Sequence, residues 1–239
     1  MNFLKKTNTI LVLIVCVAVF LRFSQLANNP PSLTWDEVAW GYNAYSLGIN
    51  AHDEFGKFLP ITYLESFGDF KPPLYAYLSI LPVMLLGLTE FSTRFASAFF
   101  GVLTVIVTFF LARSLFAENK RRDMIAFLSA GILAISPWHI LLSRAAFEAN
   151  VASFFIVFGV YLFLEALSES KKRLLVASLI SFVLSMYTFN TARIAVPILV
   201  LTLFLFNWKY FIYKIRRETV IAVLVSGLLF LPLFSFLLT

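Results

Sequence analysis

The chain has 239 residues, of which 60% are hydrophobic, 17% aromatic and only 13% charged, and its mean hydropathy is +0.87. This composition excludes an ordinary soluble domain and indicates a multi-spanning membrane protein. The formal charge of +6 is carried by short basic clusters between apolar runs, a pattern that is typical of membrane topology and argues against a nucleic-acid partner.

Seven long apolar runs predict about seven membrane spans in an all-α protein. The predicted spans are 10–23, 95–116, 124–142, 149–167, 174–189, 193–206 and 220–238. The only cysteine, Cys16, lies inside the first run, so no internal disulfide is expected. We interpret 1–239 as one transmembrane module. Since the chain stops in or just after its last apolar run, it is open whether it is an N-terminal portion of a longer protein.

An eighth, shorter apolar run at 73–89 has two interpretations. It contains Pro82, and its length is at the lower limit for crossing a bilayer. The basic residues form clusters at 5–6, 120–122, 171–173 and 209–217. If 73–89 does not cross, every cluster falls on the cytoplasmic side; if it crosses, the last three lie outside. We therefore expect 73–89 to lie in or dip into the outer leaflet, with an ordinary span as the alternative.

This topology collects the polar residues on the outer side of the membrane, in a large loop at 27–93 and in turns at 143–150 and 187–193. The residues concerned are Asp36, Glu37, Asp53, Glu54, Asp69, Lys71, Arg144, Glu148, Asn190 and Arg193. Ionisable groups near lipid are costly and usually functional. The outer face is therefore the predicted location of a site, and a transporter is disfavoured because its charges would lie near the midplane.

Asp36 and Glu37, the two candidate catalytic carboxylates, follow the first span at the predicted start of a helix. Thr34 and Glu37 have the spacing of a capping box, which gives Glu37 a structural role and predicts a mild effect of Glu37→Gln. Apolar residues at 38, 42, 45 and 49 predict an amphipathic helix suited to lie on a membrane. Asp36 has no capping partner in this pattern. It is either a first-turn residue that favours the helix dipole or a general base.

The remaining candidates could bind an anionic substrate. Lys71 follows Asp69 and precedes two prolines, and it either extends to the interface or neutralises a headgroup. Arg144 and Arg193 lie at outer ends of spans, where they could hold a phosphate; for Arg144 an ion pair with Glu148 is the alternative. The sequence His52-Asp53-Glu54 lacks metal-ligand spacing, and we expect neither a metal nor another cofactor.

Several stretches resemble the N-terminal half of the protein O-mannosyltransferase family, glycosyltransferase family 39, which includes the bacterial lipid A aminoarabinose transferases. They are TWDEVAWGYNAYSL, GDFKPPLYAYL, EFSTRFASAFFGVLTVIVTFFLARSLF, SPWHILLSRAAFEANVASFF and YTFNTARIAVP. The resemblance implies a GT-C fold with juxtamembrane helices in the first outer loop. Asp36 matches the family's catalytic aspartate and Lys71 its basic residue. Phe70 stands where the aminoarabinose transferases carry an acid, and Glu148 where relatives place an aspartate.

The implied activity is inverting transfer of a sugar from a polyprenyl-phosphate donor to a hydroxyl or phosphate of a lipid, glycan or protein acceptor. We expect Asp36 to act as the base, and Lys71, Asp69, Arg144, Glu148, Asn190 and Arg193 to bind substrate. The expected location is a bacterial plasma membrane with the site on its outer face, among membrane lipids. The alternatives are a non-catalytic protein that binds the lipid carrier or assists assembly, and a transporter.

Overall fold

The computed structural model describes residues 2–167, 171, 173–213 and 216–237, with side chains for 9–167, 171, 173–211, 213 and 217–234. The basic side chains expected at Lys5, Lys6 and Lys172 lie outside these ranges, as does part of the cluster at 209–217. The same holds for the last residues of the predicted span at 220–238.

The described residues form a helical bundle with one small hairpin, which confirms the predicted all-α membrane architecture. The helices are α1 (Asn2–Phe23), α2 (Trp35–Asn50), α3 (Leu74–Leu86), α4 (Glu90–Leu115), α5 (Arg122–Ile135), α6 (Pro137–Arg144), α7 (Glu148–Ala166), α8 (Leu174–Met186), α9 (Ala192–Phe206), α10 (Trp208–Tyr213) and α11 (Arg216–Leu237). The strands are β1 (Leu64–Ser66) and β2 (Asp69–Lys71). Helix α4 lies at the centre, where it packs against α1, α2, α3, α5, α6 and α7.

Three described helices are long and apolar enough to cross a membrane: α4, α7 and the 217–234 part of α11. Helices α5 and α6 together meet the same criterion as one bent pair. The apolar helices α3, α8 and α9 and the 9–23 part of α1 are shorter. The protein is therefore an integral membrane protein, while the number of seven spans stays a prediction.

The predicted span at 124–142 corresponds to two helices, because the structure breaks it at Ser136 with a bend of 56° between α5 and α6. Pro137 causes the break, because proline lacks an N–H and keeps the preceding residue out of the helical region. The carbonyl of Leu133, which loses its helical donor, accepts a hydrogen bond from the buried Arg22 at 3.2 Å. The side chain of Arg22 thus fastens α1 to the break.

Helix α2 has the amphipathic character that the sequence predicts. Its predicted apolar positions are exposed, together with Trp35: Val38, Tyr42, Tyr45 and Ile49. The opposite face packs into the protein through Ala39, Trp40, Ala44 and Leu47. An apolar stripe on a helix whose other face is already buried is suited to the membrane interface.

The segment before α3 contains a β-hairpin that the sequence analysis did not anticipate. Leu64 pairs with Lys71 and Ser66 with Asp69 in antiparallel register. The two turn residues, Phe67 and Gly68, have φ angles of 51° and 76°, as a tight hairpin turn with two left-handed positions requires. The hairpin delivers Lys71 directly to the start of α3.

Helix α3 has only 13 residues, so it is about 20 Å long, which is short against a hydrocarbon core of about 30 Å. Its length agrees with the expectation that it does not cross. The crossing itself is tested by labelling.

In a Cys16→Ser background, Glu90→Cys should react in intact cells with a thiol reagent that cannot cross membranes, and Lys120→Cys should react only after lysis. Both positions are exposed and lie near opposite ends of α4. If 73–89 crossed the membrane, the N-terminal end of α4 would lie inside. Labelling of Lys120→Cys in intact cells, with protection of Glu90→Cys, would contradict the topology.

Candidate active site

Glu37 begins the site, because it is fixed in the first turn of α2. The Thr34 hydroxyl accepts a hydrogen bond from the Glu37 amide at 3.3 Å, and the Thr34 amide donates to the Glu37 carboxylate at 2.9 Å. The predicted capping box is therefore confirmed. Only 1% of Glu37 is exposed, so the carboxylate faces the interior of the protein rather than a substrate.

The partner of Glu37 is Arg94 in α4, which the sequence analysis missed. Its Nε donates to Glu37 Oε1 at 2.7 Å and one terminal nitrogen donates to Oε2 at 3.2 Å. The other guanidinium protons go to the carbonyls of Leu26, Pro30 and Ser32. All five donors of the guanidinium thus have an acceptor. The bridge ties α2 and the preceding loop to α4.

The electrostatics of Glu37 follow from these contacts. Burial alone would raise the pKa of its carboxyl, but hydrogen bonds from Arg94 and from the amides of Thr34 and Ala146 outweigh burial. The pKa of Glu37 therefore lies below its ordinary value, and the group stays ionised at neutral pH. The Ala146 amide donates to Oε1 at 3.0 Å, which also ties the turn before α7 to the start of α2.

Arg144 donates to backbone carbonyls, and the ion pair considered from the sequence does not form. Its guanidinium donates to the carbonyls of Leu21, Ser24, Gln25 and Asn29 at 2.8–3.3 Å, and the residue is 8% exposed. No ion pair with Glu148 is present among the described side chains. Arg144 therefore holds the loop between α1 and α2 through its hydrogen bonds, and its binding of a phosphate stays a prediction.

Asp36 and Lys71 form the polar centre of the site. The Lys71 ammonium donates to the Asp36 carboxylate, and the two side chains are 7% and 56% exposed. A buried ammonium thus faces a carboxylate that remains open to solvent. The sequence predicted both residues as candidates, but it did not predict that they contact each other.

Glu148 and Trp40 lie beside this pair. The carboxylate of Glu148, at the start of α7, is within electrostatic reach of Asp36 and Lys71 and adjoins the indole of Trp40. The Lys71 nitrogen is 5.5 Å from the centre of the Trp40 ring. Trp40 is one helical turn after Asp36, so both project from the same face of α2.

Three other predicted binding residues occupy the edge of the site. Asp69 is exposed and accepts a hydrogen bond from the amide of Phe70. The amide of Asn190 donates to the Phe70 carbonyl at 3.3 Å. Arg193 donates to the carbonyls of Met186 and Thr62. Asn190 and Arg193 thus fasten the α8–α9 turn to the hairpin segment that carries Lys71.

The His52-Asp53-Glu54 sequence is engaged in local structure. His52 contacts the carbonyl of Asn50, Asp53 accepts from the amides of Phe55 and Lys57, and Glu54 accepts from Asn43. Within the described ranges, no three His, Cys, Asp or Glu side chains are grouped so that they could hold a metal ion.

Two signals in the sequence could have identified the missed residues. Arg94 is a charge at the beginning of a long apolar run, and such a residue calls for a partner within the protein. Trp40 follows Asp36 at a spacing of four in a predicted helix, which predicts a shared face. No comparable local signal identifies the partner of Arg94, because Glu37 is 57 residues away.

Glu37→Gln should strongly destabilise the protein, in contrast to the mild effect expected from the capping box alone. It leaves the buried Arg94 charge without a counter-charge, a change that typically costs about 3–5 kcal/mol. Thermal unfolding in detergent measures the effect, with Glu90→Gln as the matched control because Glu90 is an exposed carboxylate at the start of α4. A melting temperature equal to that of the wild type would contradict this role.

Because the pKa of Glu37 is lowered, its stabilising contribution is complete above the ordinary glutamate pKa and is lost as the pH falls through the folded-state value. In Glu37→Gln this part of the acid sensitivity should disappear. Unfolding temperatures measured along an acid titration provide the comparison.

The geometry can be compared with known proteins. Crystal structures of ArnT from Cupriavidus metallidurans have the same fold, which confirms the predicted GT-C architecture. The match to the apo structure has a TM-score of 0.72 and 19% sequence identity, and it covers 94% of this chain and 41% of the ArnT chain. The structure bound to undecaprenyl phosphate has a TM-score of 0.62 and 16% identity, over 97% of this chain and 41% of that one.

An uncharacterized protein of Aquifex aeolicus (strain VF5) is 30% identical over 142 residues, which are 59% of this chain and 28% of the relative. The chain thus spans less than half the length of these relatives. The family model of the dolichyl-phosphate-mannose-protein mannosyltransferases matches residues 12–239. Because this match covers nearly all of the sequence, the chain belongs to the dolichyl-phosphate-mannose-protein mannosyltransferase family.

Proposed function

We propose that the protein is an inverting membrane glycosyltransferase that moves a sugar from a polyprenyl-phosphate donor to an acceptor, with Asp36 as the general base. The ion pair between Asp36 and Lys71 carries this proposal. It combines a solvent-accessible carboxylate with a buried ammonium; such a transfer needs a proton acceptor for the incoming hydroxyl and a cation for the departing phosphate.

Lys71 is the residue that would bind the carrier phosphate. Lysine binds phosphate as a compact point charge, and here its ammonium already holds an anionic oxygen. A phosphate that arrives can replace the Asp36 carboxylate at the ammonium. This exchange would free the Asp36 carboxylate, so that donor binding itself prepares the base.

With a hydroxyl acceptor, the reaction is a single displacement. The acceptor oxygen forms a bond to the anomeric carbon while its proton passes to the Asp36 carboxylate. The bond between the anomeric carbon and the phosphate oxygen breaks, and the electron pair stays on that oxygen beside the Lys71 ammonium. The configuration inverts because one bond forms opposite the bond that breaks.

An apolar cavity supports a lipid carrier as the donor. It has a volume of about 320 Å³ and begins at Pro73, two residues after Lys71. Its walls are apolar side chains of α3, α8 and α11, among them Leu74, Leu184 and Leu229. A cation beside an apolar cavity fits a ligand with an anionic head and a hydrocarbon chain. One ArnT structure, which shares the fold, contains undecaprenyl phosphate.

In this proposal the site faces the outside of a bacterial plasma membrane, and the phosphate charge is balanced by the Lys71 ammonium rather than by a metal. The contacts described above leave Arg144 to the support of the α1–α2 loop. Asn190 and Arg193 support the hairpin. The acceptor is a hydroxyl or phosphate of a lipid, glycan or protein.

Asp36→Asn should abolish most sugar transfer while donor binding persists, because the substitution removes only the proton acceptor. The loss of a general base typically lowers the rate about a hundred- to ten-thousand-fold. Lys71→Gln should instead weaken donor binding. The assay is transfer from a labelled undecaprenyl-phosphate sugar by purified protein in nanodiscs, with donor binding measured in parallel.

Glu90→Gln is the matched control, since Glu90 is an exposed carboxylate at the start of α4 and should leave both properties unchanged. Normal sugar transfer by Asp36→Asn would show that another residue is the general base, with Asp69 and Glu148 as the next candidates. Donor binding by the wild type without any transfer would instead favour a non-catalytic carrier-binding protein.

A further inference from the structure

Two buried polar atoms of α2 and of the hairpin, the elements that carry Asp36 and Lys71, have no hydrogen-bond partner among the described residues. They are the indole nitrogen Nε1 of Trp40 and the hydroxyl of Ser66. Each residue is only 1% exposed. A buried donor without a partner is costly, typically about 1–3 kcal/mol, and its presence calls for an explanation.

The position of Trp40 relates its free donor to the site. The ring lies 5.5 Å from the Lys71 nitrogen and shares the face of α2 that carries Asp36. The Glu148 carboxylate is the neighbouring acceptor, and a hydrogen-bonding interaction with the indole lowers its pKa, but it lies outside ordinary hydrogen-bond geometry from Nε1. An indole N–H can only donate, so the position lacks an acceptor in full hydrogen-bond geometry.

Ser66 reaches the same region from the hairpin. In the register of β1 and β2, Leu64 is opposite Lys71 and Ser66 is opposite Asp69. Residues two apart on a strand and residues directly opposite share one face of the sheet. Ser66 and Lys71 therefore lie on the same face. Leu64, also on that face, packs in one apolar cluster with Trp40.

We infer that Trp40 and Ser66 are further binding residues that donate hydrogen bonds to the phosphate of the lipid carrier held at Lys71. The assignment rests on the proposed function and adds two uncharged donors to its single ammonium. A phosphate has several acceptor oxygens, which one ammonium leaves partly unsatisfied. The two donors are kept dry by burial, and in a dry environment a hydrogen bond to an anion is stronger.

The inference predicts opposite effects of Ser66→Ala on stability and on binding. Removal of a buried hydroxyl that has no partner should leave the melting temperature of the ligand-free protein unchanged or raise it. The same substitution should lower the affinity for undecaprenyl phosphate about tenfold, since a hydrogen bond to a charged group is lost. Trp40→Phe, which keeps an aromatic ring, should lower this affinity by a similar factor.

The experiment compares the binding of undecaprenyl phosphate and of undecaprenol, which lacks the phosphate, to purified protein in nanodiscs. Undecaprenol binding should not change in either variant. The controls are Ser153→Ala, whose hydroxyl donates to the Ala149 carbonyl of its own helix, and Trp138→Phe, whose side chain is exposed. Neither should alter the affinity for undecaprenyl phosphate.

The inference fails if Ser66→Ala and Trp40→Phe bind undecaprenyl phosphate like the wild type while Lys71→Gln does not; the proposed function then stands. Equal weakening of undecaprenol would also overturn it, because the residues would then act through packing. If Lys71→Gln binds undecaprenyl phosphate normally, the phosphate is not held here, and the proposed function falls together with the inference. Should Trp40→Phe fold poorly, Ser66→Ala decides alone.

Discussion

The buried ion pair between Glu37 and Arg94 is the interaction on which the rest of the site depends. Both groups are almost completely inaccessible, and a charge in an apolar interior is tolerated only when its partners satisfy it. Here the guanidinium uses all five donors, and the carboxylate also accepts from the amides of Thr34 and Ala146. One pair thereby fixes α2, α4, the α1–α2 loop and the turn before α7 relative to one another.

This constraint determines where Asp36 points. Successive residues of a helix are rotated by about 100°, so a Glu37 held toward the interior turns its neighbour away from it. Asp36 consequently remains half exposed and meets Lys71. Two adjacent carboxylates thus acquire different environments from a single fixed helix. The site does not require a separate element to keep the second carboxylate open.

Sequence reasoning succeeded where the determining contacts are local. The capping box spans three residues, the amphipathic stripe of α2 repeats at helical spacing, and apolar runs identify membrane helices. It failed where the contacts are distant: Glu37 and Arg94 are 57 residues apart, and Arg144 lies more than a hundred residues after the carbonyls that it binds. The hairpin escaped notice because its strands have only three residues each. The break at Pro137, by contrast, has a local cause that the sequence contains.

The described residues include two kinds of cation, which differ in the partners of their charged groups. Arg94 and Arg144 donate to several carbonyls each, in positions fixed by backbone, so an incoming anion would have to displace many hydrogen bonds at once. Lys71 is different because its ammonium donates to one carboxylate, which is open to solvent on its other side. A one-for-one exchange of carboxylate for phosphate leaves the ammonium paired throughout. The difference in partners, rather than in charge, therefore makes Lys71 the cation best suited to an exchangeable ligand.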